Sequence, residues 1–377
     1  MRVLHLLPDL RVGGGQTVVL GLLRQLDHDR FDVRVASLGG PAELRAEFAE
    51  AAGSPPVELG ASAGGTAGAV AAVTRLLRRE RADVLHVHSP PDRTAGHLAA
   101  LATGVPVVGH LHSEWVHLRP SGRLGARQRL TGSVRLAAER RAVRHYVAAS
   151  AHVAALFAAA TTTPITVLPP ATDVTAPPPA ERARLRSELG LDPDVPVLLH
   201  VARIVEGKGH DDLVPLLQDV RARFPGTVLL LVGDGDRSAA FRSAADAAGL
   251  ADAVRLLGRR EDVPALMAAA DLLVFPSASE GLGLVVLEAM ATGLPVAAYD
   301  LPAFGEFARD GETGAFVPPG AREELTKAVI ELLADPARRA AMGRAGRDTV
   351  DHSFRWPVAA ATLAGVYERV AAERRRR

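Results

Sequence analysis

Short apolar runs recur along this chain and alternate with stretches of helical periodicity, and that alternation leaves few folds open to it. Runs at Val3–Leu7, Phe31–Ser37, Asp83–His88, Pro106–His112, His145–Ala149 and Ile165–Leu168 have strand length. Between them lie helical stretches such as Val70–Arg81 and Arg93–Thr103, and a helix with Val18, Val19, Leu22, Leu23 and Leu26 on one face. Strand, helix, strand in this order predicts a parallel, doubly wound α/β sheet. Pro169, Pro170 and Pro177–Pro179 then punctuate the chain as a linker. The pattern resumes with strands at Pro196–Ala202, Thr227–Val232, Val254–Gly258, Asp271–Pro276 and Pro295–Tyr299, and a turn and strand at Gly311–Val317. Helices are expected at Glu181–Leu189, Leu284–Met290, Arg322–Ala334 and Pro357–Ala372. The 377 residues suit two such domains.

Composition excludes several chemistries. With no cysteine there is no disulfide framework, thiol nucleophile or cysteine metal site. No apolar run reaches the ~18 residues of a spanning helix, and Met1–Leu10 reads as a strand rather than a secretory signal. A cytoplasmic location is therefore expected. Net charge is +1 but unevenly spread, with 19 Arg against 13 acidic residues in the first 170 positions. Nothing in this balance calls for a nucleic-acid partner. Only Lys208 and Lys327 are lysines, so the position of each is informative.

Residues 271–300 hold the densest chemical signal. A strand, glycines at Gly281 and Gly283, and a helix from Leu284 place bare amides and partial positive charge at a helix tip, which suits a phosphate. Glu280 lies just before that helix and Glu288 about one turn inside it. Two carboxylates flanking an anion site make sense if they hold hydroxyls, so the inferred ligand is a phosphate joined to sugars, a nucleotide diphospho-sugar. Arg203 and Lys208 follow another strand and are spaced to reach one diphosphate, the first as a fork and the second as a point charge. A pair of solvated glutamates and a surface ion pair are the plainer alternatives.

Other signals are weaker. Gly13–Gly15 after the first strand form a turn that approaches phosphate or sugar, but no G-x-G-x-x-G is present. His88 and His112 fall at carboxyl ends of strands, where doubly wound sheets bind ligands. His86, His88, His110 and His112 invite a metal reading. Against it, alternate residues of one strand share a face without converging on an ion. Asp234 and Asp236 form an Asp-x-Asp triplet that could bind metal but reads as a turn beside the Arg/Lys pair. The segment Arg119–Arg144 carries eight arginines and one acid, Glu139. It suits a peripheral membrane contact at the inner face, an anionic acceptor or a solvated face.

Glu280-Gly281-Leu282-Gly283-Leu284, with Glu288 eight positions after the first Glu and then Ala291, Gly293, Pro295 and Val296, resembles the signature of the retaining glycosyltransferases of family 4. Arg203 through Lys208-Gly209 is similar to the family's R-x4-K-G, Gly233-Asp234-Gly235 to its G-(D/E)-G turn, and Gly13–Gln16 to its first loop with Gln in place of Glu. Val107–His112 resembles its strand ending in histidine. The resemblance implies the GT-B architecture: two Rossmann-like domains facing across a cleft, at 1–172 on the acceptor side and 173–355 on the donor side, with 356–377 crossing back. It implies His112 on a donor-sugar hydroxyl, Glu280 on sugar hydroxyls, Glu288 on the ribose, and Arg203 with Lys208 on the leaving diphosphate. The donor is expected against Gly13, Gly14, Gly233, Arg260, Gly281, Leu282, Gly283 and Leu284, with no metal or other cofactor. Where the family reads P-N-G-V-D, this chain reads P-P-A-T-D to Asp173, so no contact is expected there. The implied reaction is front-face transfer, with retention, from a UDP- or GDP-sugar to the hydroxyl of a small molecule, glycan or lipid-linked acceptor. An epimerase or phosphorylase of similar architecture and a nonenzymatic nucleotide-sugar-binding protein are the alternatives.

Overall fold

The computed structural model describes residues 1–60, 65–88, 90–112, 135–159, 161–169, 171–280 and 283–375. The chain divides into two compact units, Met1–Ala171 with Trp356–Arg377, and Thr172–Arg355.

The first unit is built on strands β1 (Arg2–Leu7), β2 (Asp32–Ser37), β3 (Val57–Glu58), β4 (Val84–Val87), β5 (Val107–Leu111), β6 (Val143–Ala148) and β7 (Ile165–Val167). They form one sheet in the order β3-β2-β1-β4-β5-β6-β7, every pairing parallel. Helices cover both faces, so the central strands read as continuous apolar runs. Leu4 and Leu6 join Leu85, Val87 and Val107 in one apolar cluster with the helices Gly65–Glu80 and Pro90–Thr103. The helix Ala151–Ala158 is capped as its sequence suggests, with Ser150 Oγ accepting from Val153 N at 3.1 Å.

The helix Trp356–Arg375 belongs to this first unit and packs against the helix Gly14–Gln25. Trp356 lies over Gly21, where an added Cβ would come within 2.3 Å of the indole ring. A glycine there is a seat for the tryptophan. Farther along the same helix, Tyr367 is wholly buried.

The second unit carries β8 (Val197–Val201), β9 (Val228–Val232), β10 (Val254–Gly258), β11 (Leu272–Phe275), β12 (Val296–Tyr299) and β13 (Gly314–Val317), ordered β10-β9-β8-β11-β12-β13 and again parallel. In each sheet the strand order reverses once, between β1 and β4 and between β8 and β11. Such reversal points are where doubly wound sheets take ligands. The helix Pro179–Glu188 is tied to the start of β11 by Arg186, a buried guanidinium 2.8 Å from Asp271 that also donates to the carbonyls of Ala269 and Pro193.

Apart from β3, a two-residue edge strand that carried no signal, the strands and the expected helices match the sequence reading within a few residues. Several further helices carried no clear signal, at Arg45–Ala52, His210–Arg223, Ser238–Ala247, Val263–Ala269 and Pro336–Ser353. The last packs through small residues: a Cβ on Gly343 would come within 2.1 Å of the Gly293 carbonyl, and Gly346 rests on Met290. A face of glycine and alanine shows no apolar periodicity, although it packs as closely as one of leucine. Among the described residues no helix is long and apolar enough to cross a membrane.

Candidate functional site

The carboxyl ends of β8 and β11 bring the second unit's predicted residues together. After β8 the chain turns through Arg203 and Lys208, and after β11 through Ser277 and Glu280. The two turns are joined by Ala278 N donating to Gly207 O at 2.9 Å. Lys208 Nζ lies 2.7 Å from Glu280 Oε1. Arg203 is exposed and makes no ion pair among the described residues. Gly233, at the end of β9, sits so close to the β8 turn that a Cβ would fall 1.9 Å from the Ala202 carbonyl, at a φ of +132°. Its conformation shapes the turn that carries Arg203.

The helix Leu284–Thr292 starts from Gly283, which is left-handed at φ 64° and provides no side-chain cap. Leu284 is its first residue. Val286 N turns back to the Gly283 carbonyl at 3.0 Å, the amides of Leu284 and Val285 precede the first i→i−4 bond, and the tip carries partial positive charge. Glu288, one turn in, is largely buried, and burial raises its carboxyl to about 7. Arg260 pairs with Asp262 at 2.6 Å and also feels the charge of Glu288, so its guanidinium is raised. Arginine, lysine, an uncapped helix tip and two carboxyls thus share one end of the second sheet. Gly281 and Leu282 lie outside the described residues.

Asp234 turns inward on its own loop, accepting from Gly235 N at 2.7 Å and Ser238 Oγ at 3.2 Å. Neither it nor Asp236 belongs to a metal-competent cluster among the described residues. The turn reading fits this geometry.

In the first unit, Gly13 is the residue before the helix Gly14–Gln25, again without a side-chain cap, and Gly14 opens the helix. Gln16 donates to Asp9 at 3.2 Å, and Asp9 also pairs with Arg11 at 2.6 Å. His112 is half-buried just past the end of β5.

The histidines correct one expectation. Alternate residues were expected to share a face without converging, yet His86 with His88 and His110 with His112 lie close together, and a neighbouring strand adds a third ring to each pair. Register sets His5 of β1 opposite His86 of β4, so the side chains of β1, β4 and β5 share one face. Ligand nitrogens of His5, His86 and His88, and of His88, His110 and His112, lie within 4.8 Å of one another. Burial, and after it the neighbouring histidines, hold His86 and His88 well below the usual imidazole range. Burial alone takes His5 down to about 3. His5 and Tyr367 were not singled out from the sequence. The alternation of His5 with Val3 and Leu7 was available as a signal, whereas Tyr367 had none. The arginine-rich segment is described only from residue 135 onward, where Arg135, Arg140 and Arg141 are exposed; residues 113–134 lie outside the described residues.

Comparison with known proteins now bears on this arrangement. The family described as "Glycosyltransferase Family 4" matches residues 12–176, and "Glycosyl transferases group 1" matches residues 181–349. The chain is 30% identical over 382 residues to the 2-deoxystreptamine N-acetyl-D-glucosaminyltransferase of Streptomyces fradiae, covering 91% of this chain and 90% of that protein. It is 39% identical over 208 residues to the GDP-mannose-dependent alpha-(1-6)-phosphatidylinositol monomannoside mannosyltransferase of Mycolicibacterium smegmatis, covering 52% of this chain and 54% of that protein. In several such curated relatives the chain spans about half of the length it is compared with. In fold it is similar to HepE of Anabaena in complex with UDP and glucose, with a TM-score of 0.84 at 23% identity, covering 98% of this chain and 100% of that one. The two parallel-sheet units are those of the GT-B fold.

Proposed function

The chain belongs to glycosyltransferase family 4, and from that premise we propose that it moves a sugar from a nucleotide diphospho-sugar to an acceptor hydroxyl, with retention and without a metal. The observation that carries this reading is the grouping of Arg203, Lys208 and the uncapped tip of Leu284–Thr292 at the ends of β8 and β11, with Glu280 between them. Breaking an anomeric C–O bond leaves charge on the departing diphosphate. Fixed cations and oriented amides stabilise that charge without reorganising during the reaction. With these supplying the positive charge, no metal is needed for the leaving group.

Glu280 and Glu288 hold hydroxyls of the transferred sugar and of the ribose, and Arg260 stands beside the nucleotide. The glycines Gly13, Gly14, Gly233 and Gly283, with Gly281, Leu282 and Leu284, offer backbone to the donor. His112 meets a hydroxyl of the donor sugar. The departing diphosphate, on the same face as the incoming hydroxyl, accepts its proton, so the product keeps the donor's anomeric configuration. An oxocarbenium-like transition state is shielded by the same group.

The relatives named above supply the substrates to try. UDP, GDP, UDP-glucose and GDP-mannose are screened by thermal shift with and without EDTA. Transfer to 2-deoxystreptamine and to phosphatidylinositol is then followed by NMR of the anomeric proton. Donor stabilisation that survives EDTA, and a product of unchanged anomeric configuration, are expected. Stabilisation lost on chelation, or an inverted product, sinks the corresponding part of the proposal. Donor binding with neither transfer nor hydrolysis would mark a binding protein instead.

A further inference from the structure

His86 lies on β4 and His88 just past its end, two residues on, while His5 stands beside them on β1, paired in register with His86. All three rings are buried. A nitrogen of each lies within 4.8 Å of a nitrogen of the other two. Two alternate histidines at one strand and a third on its neighbour thus offer three imidazoles to one point. Three histidines are an established donor set for zinc, which keeps its fourth position for water.

The nitrogens that meet are identified by the ones engaged elsewhere. His5 Nδ1 lies 3.1 Å from His88 Nε2. Two nitrogens bound to one zinc ion at ~2.0–2.1 Å stand about 3.3 Å apart at the tetrahedral angle, so this pair is close to the spacing of a shared ion. The far nitrogens of these rings have other partners. His5 Nε2 and His86 Nδ1 lie 3.0 Å and 2.6 Å from Tyr367 Oη, and His88 Nδ1 lies 3.1 Å from His112 Nε2. That leaves His86 Nε2, a buried nitrogen with no hydrogen-bond partner among the described residues. An imidazole that binds a metal almost always has its second nitrogen held by an outer group, which fixes the ring. Each of these three has such a group, and Tyr367 serves two of them.

We infer that His5 Nδ1, His86 Nε2 and His88 Nε2 bind one transition-metal ion of the zinc class, with Tyr367 and His112 as outer partners. An all-nitrogen set suits zinc, copper or nickel, and not magnesium or calcium, which call for oxygen. With the ion bound, His5 and His86 carry their protons on the far nitrogens and both donate to the tyrosine oxygen, while His88 donates to His112. The second convergent set, His88, His110 and His112, shares one ring with the first. The inner set is favoured because its three far nitrogens are all accounted for and its one unpartnered nitrogen belongs to His86.

The ion joins β1 to β4 and, through Tyr367, both to the helix Trp356–Arg375. Ligands and tyrosine are buried, so the ion enters before that helix covers them and exchanges slowly afterwards. It takes no part in the transfer chemistry proposed above, whose leaving group is met by Arg203 and Lys208. Either proposal can therefore fail without the other.

Untagged protein purified without chelator is assayed for metals by plasma mass spectrometry, then unfolded in urea and refolded with zinc or with EDTA. One zinc per chain, and a Tm several degrees higher after refolding with zinc, are expected. Cobalt in place of zinc should give the visible absorption of a four-coordinate nitrogen site. His86→Gln should lose the metal and the zinc-dependent rise in Tm. His112→Gln, whose amide oxygen can still accept from His88, should keep both. Tyr367→Phe should bind zinc about 10–100-fold more weakly, the usual effect of removing an outer partner. Protein that carries no metal and gains no stability on refolding with zinc overturns the inference. So does metal retained by a folded His86→Gln but lost by His112→Gln, which would move the ion to the outer set. Unchanged zinc affinity in a folded Tyr367→Phe protein also counts against it. If His86→Gln does not fold, metal content and refolding of the unaltered protein decide.

Discussion

Lys208 and Glu280 form an ion pair across two loops, Nζ to Oε1 at 2.7 Å, although the chemistry proposed for them sends one to a diphosphate and the other to a sugar. In the ligand-free protein each satisfies the other. Donor binding therefore exchanges their mutual bond for two bonds to one ligand. Lys208→Met should lower kcat/KM about 10²–10³-fold, the scale of removing one preorganised group from a developing charge. Glu280→Gln should also reduce transfer while leaving the affinity for UDP or GDP equal or higher, because Lys208 is released to the phosphates. Both proteins should melt near the parent temperature, since a partly exposed ion pair contributes about 1 kcal/mol or less. Titration calorimetry with the bare nucleotide checks this, and a weakened nucleotide in Glu280→Gln contradicts it.

Glu288 predicts a pH dependence. Burial raises its carboxyl from the ordinary 4.5 to about 7 in the folded protein. A group raised in the folded state contributes stability that is complete below its unfolded value and is lost as pH climbs through the folded one. Stability should therefore decline between about pH 4.5 and 7, by up to about 3 kcal/mol from this group at ~1.4 kcal/mol per unit. Glu288→Gln should flatten that decline and melt higher than the parent at pH 8, with little difference at pH 4.5. If ribose hydroxyls bond the carboxylate, nucleotide binding near pH 7 should also release protons. Calorimetry in buffers of different ionisation enthalpy measures that release.

Gly283→Ala should be costly despite its small size. The position is left-handed, and the added methyl would meet Phe304 Cε1 at 2.4 Å, in a ring that is itself fully buried. Backbone strain of about 1–2 kcal/mol adds to overpacking of about 1–3 kcal/mol. Urea denaturation should show a midpoint lowered accordingly, with donor affinity falling because the helix tip shifts. Near-parental behaviour on both counts would argue against the geometry at this cap.

Gly21→Leu should displace the helix Trp356–Arg375 from its seat. Trp356 is 5% exposed, so its emission should be blue-shifted in the parent and move to the red in the variant. Trp115, the other tryptophan, is replaced by phenylalanine beforehand so that one emitter is read. Proteolysis should release the helix in the variant first.

The sequence revealed the two sheets because strands buried on both faces appear as unbroken apolar runs, and the second-unit site because Arg203, Lys208, Glu280 and Glu288 come from loops at neighbouring strand ends. It revealed less where packing uses small residues, as in Pro336–Ser353. The Lys208–Glu280 pair was hidden because nothing local says that two loops close on each other. The histidine group was hidden for the same reason. His86 and His88 are visible as a pair, but the partners that link one to the other, His5 and Tyr367, come from β1 and from a helix far along the chain. A single strand's alternation does not show the convergence, which gathers rings from β1, β4 and β5.

That distant helix has a consequence for how the protein comes into being. As the chain emerges from the ribosome, the second unit is complete once Arg355 is made, while the first still lacks the segment from Trp356 onward. The part translated first is thus finished last, and Tyr367, the link between His86 and His5, is among the late arrivals. Until then β1, β4 and β5 wait with a buried polar face uncovered, a nascent intermediate for which chaperones would be natural company.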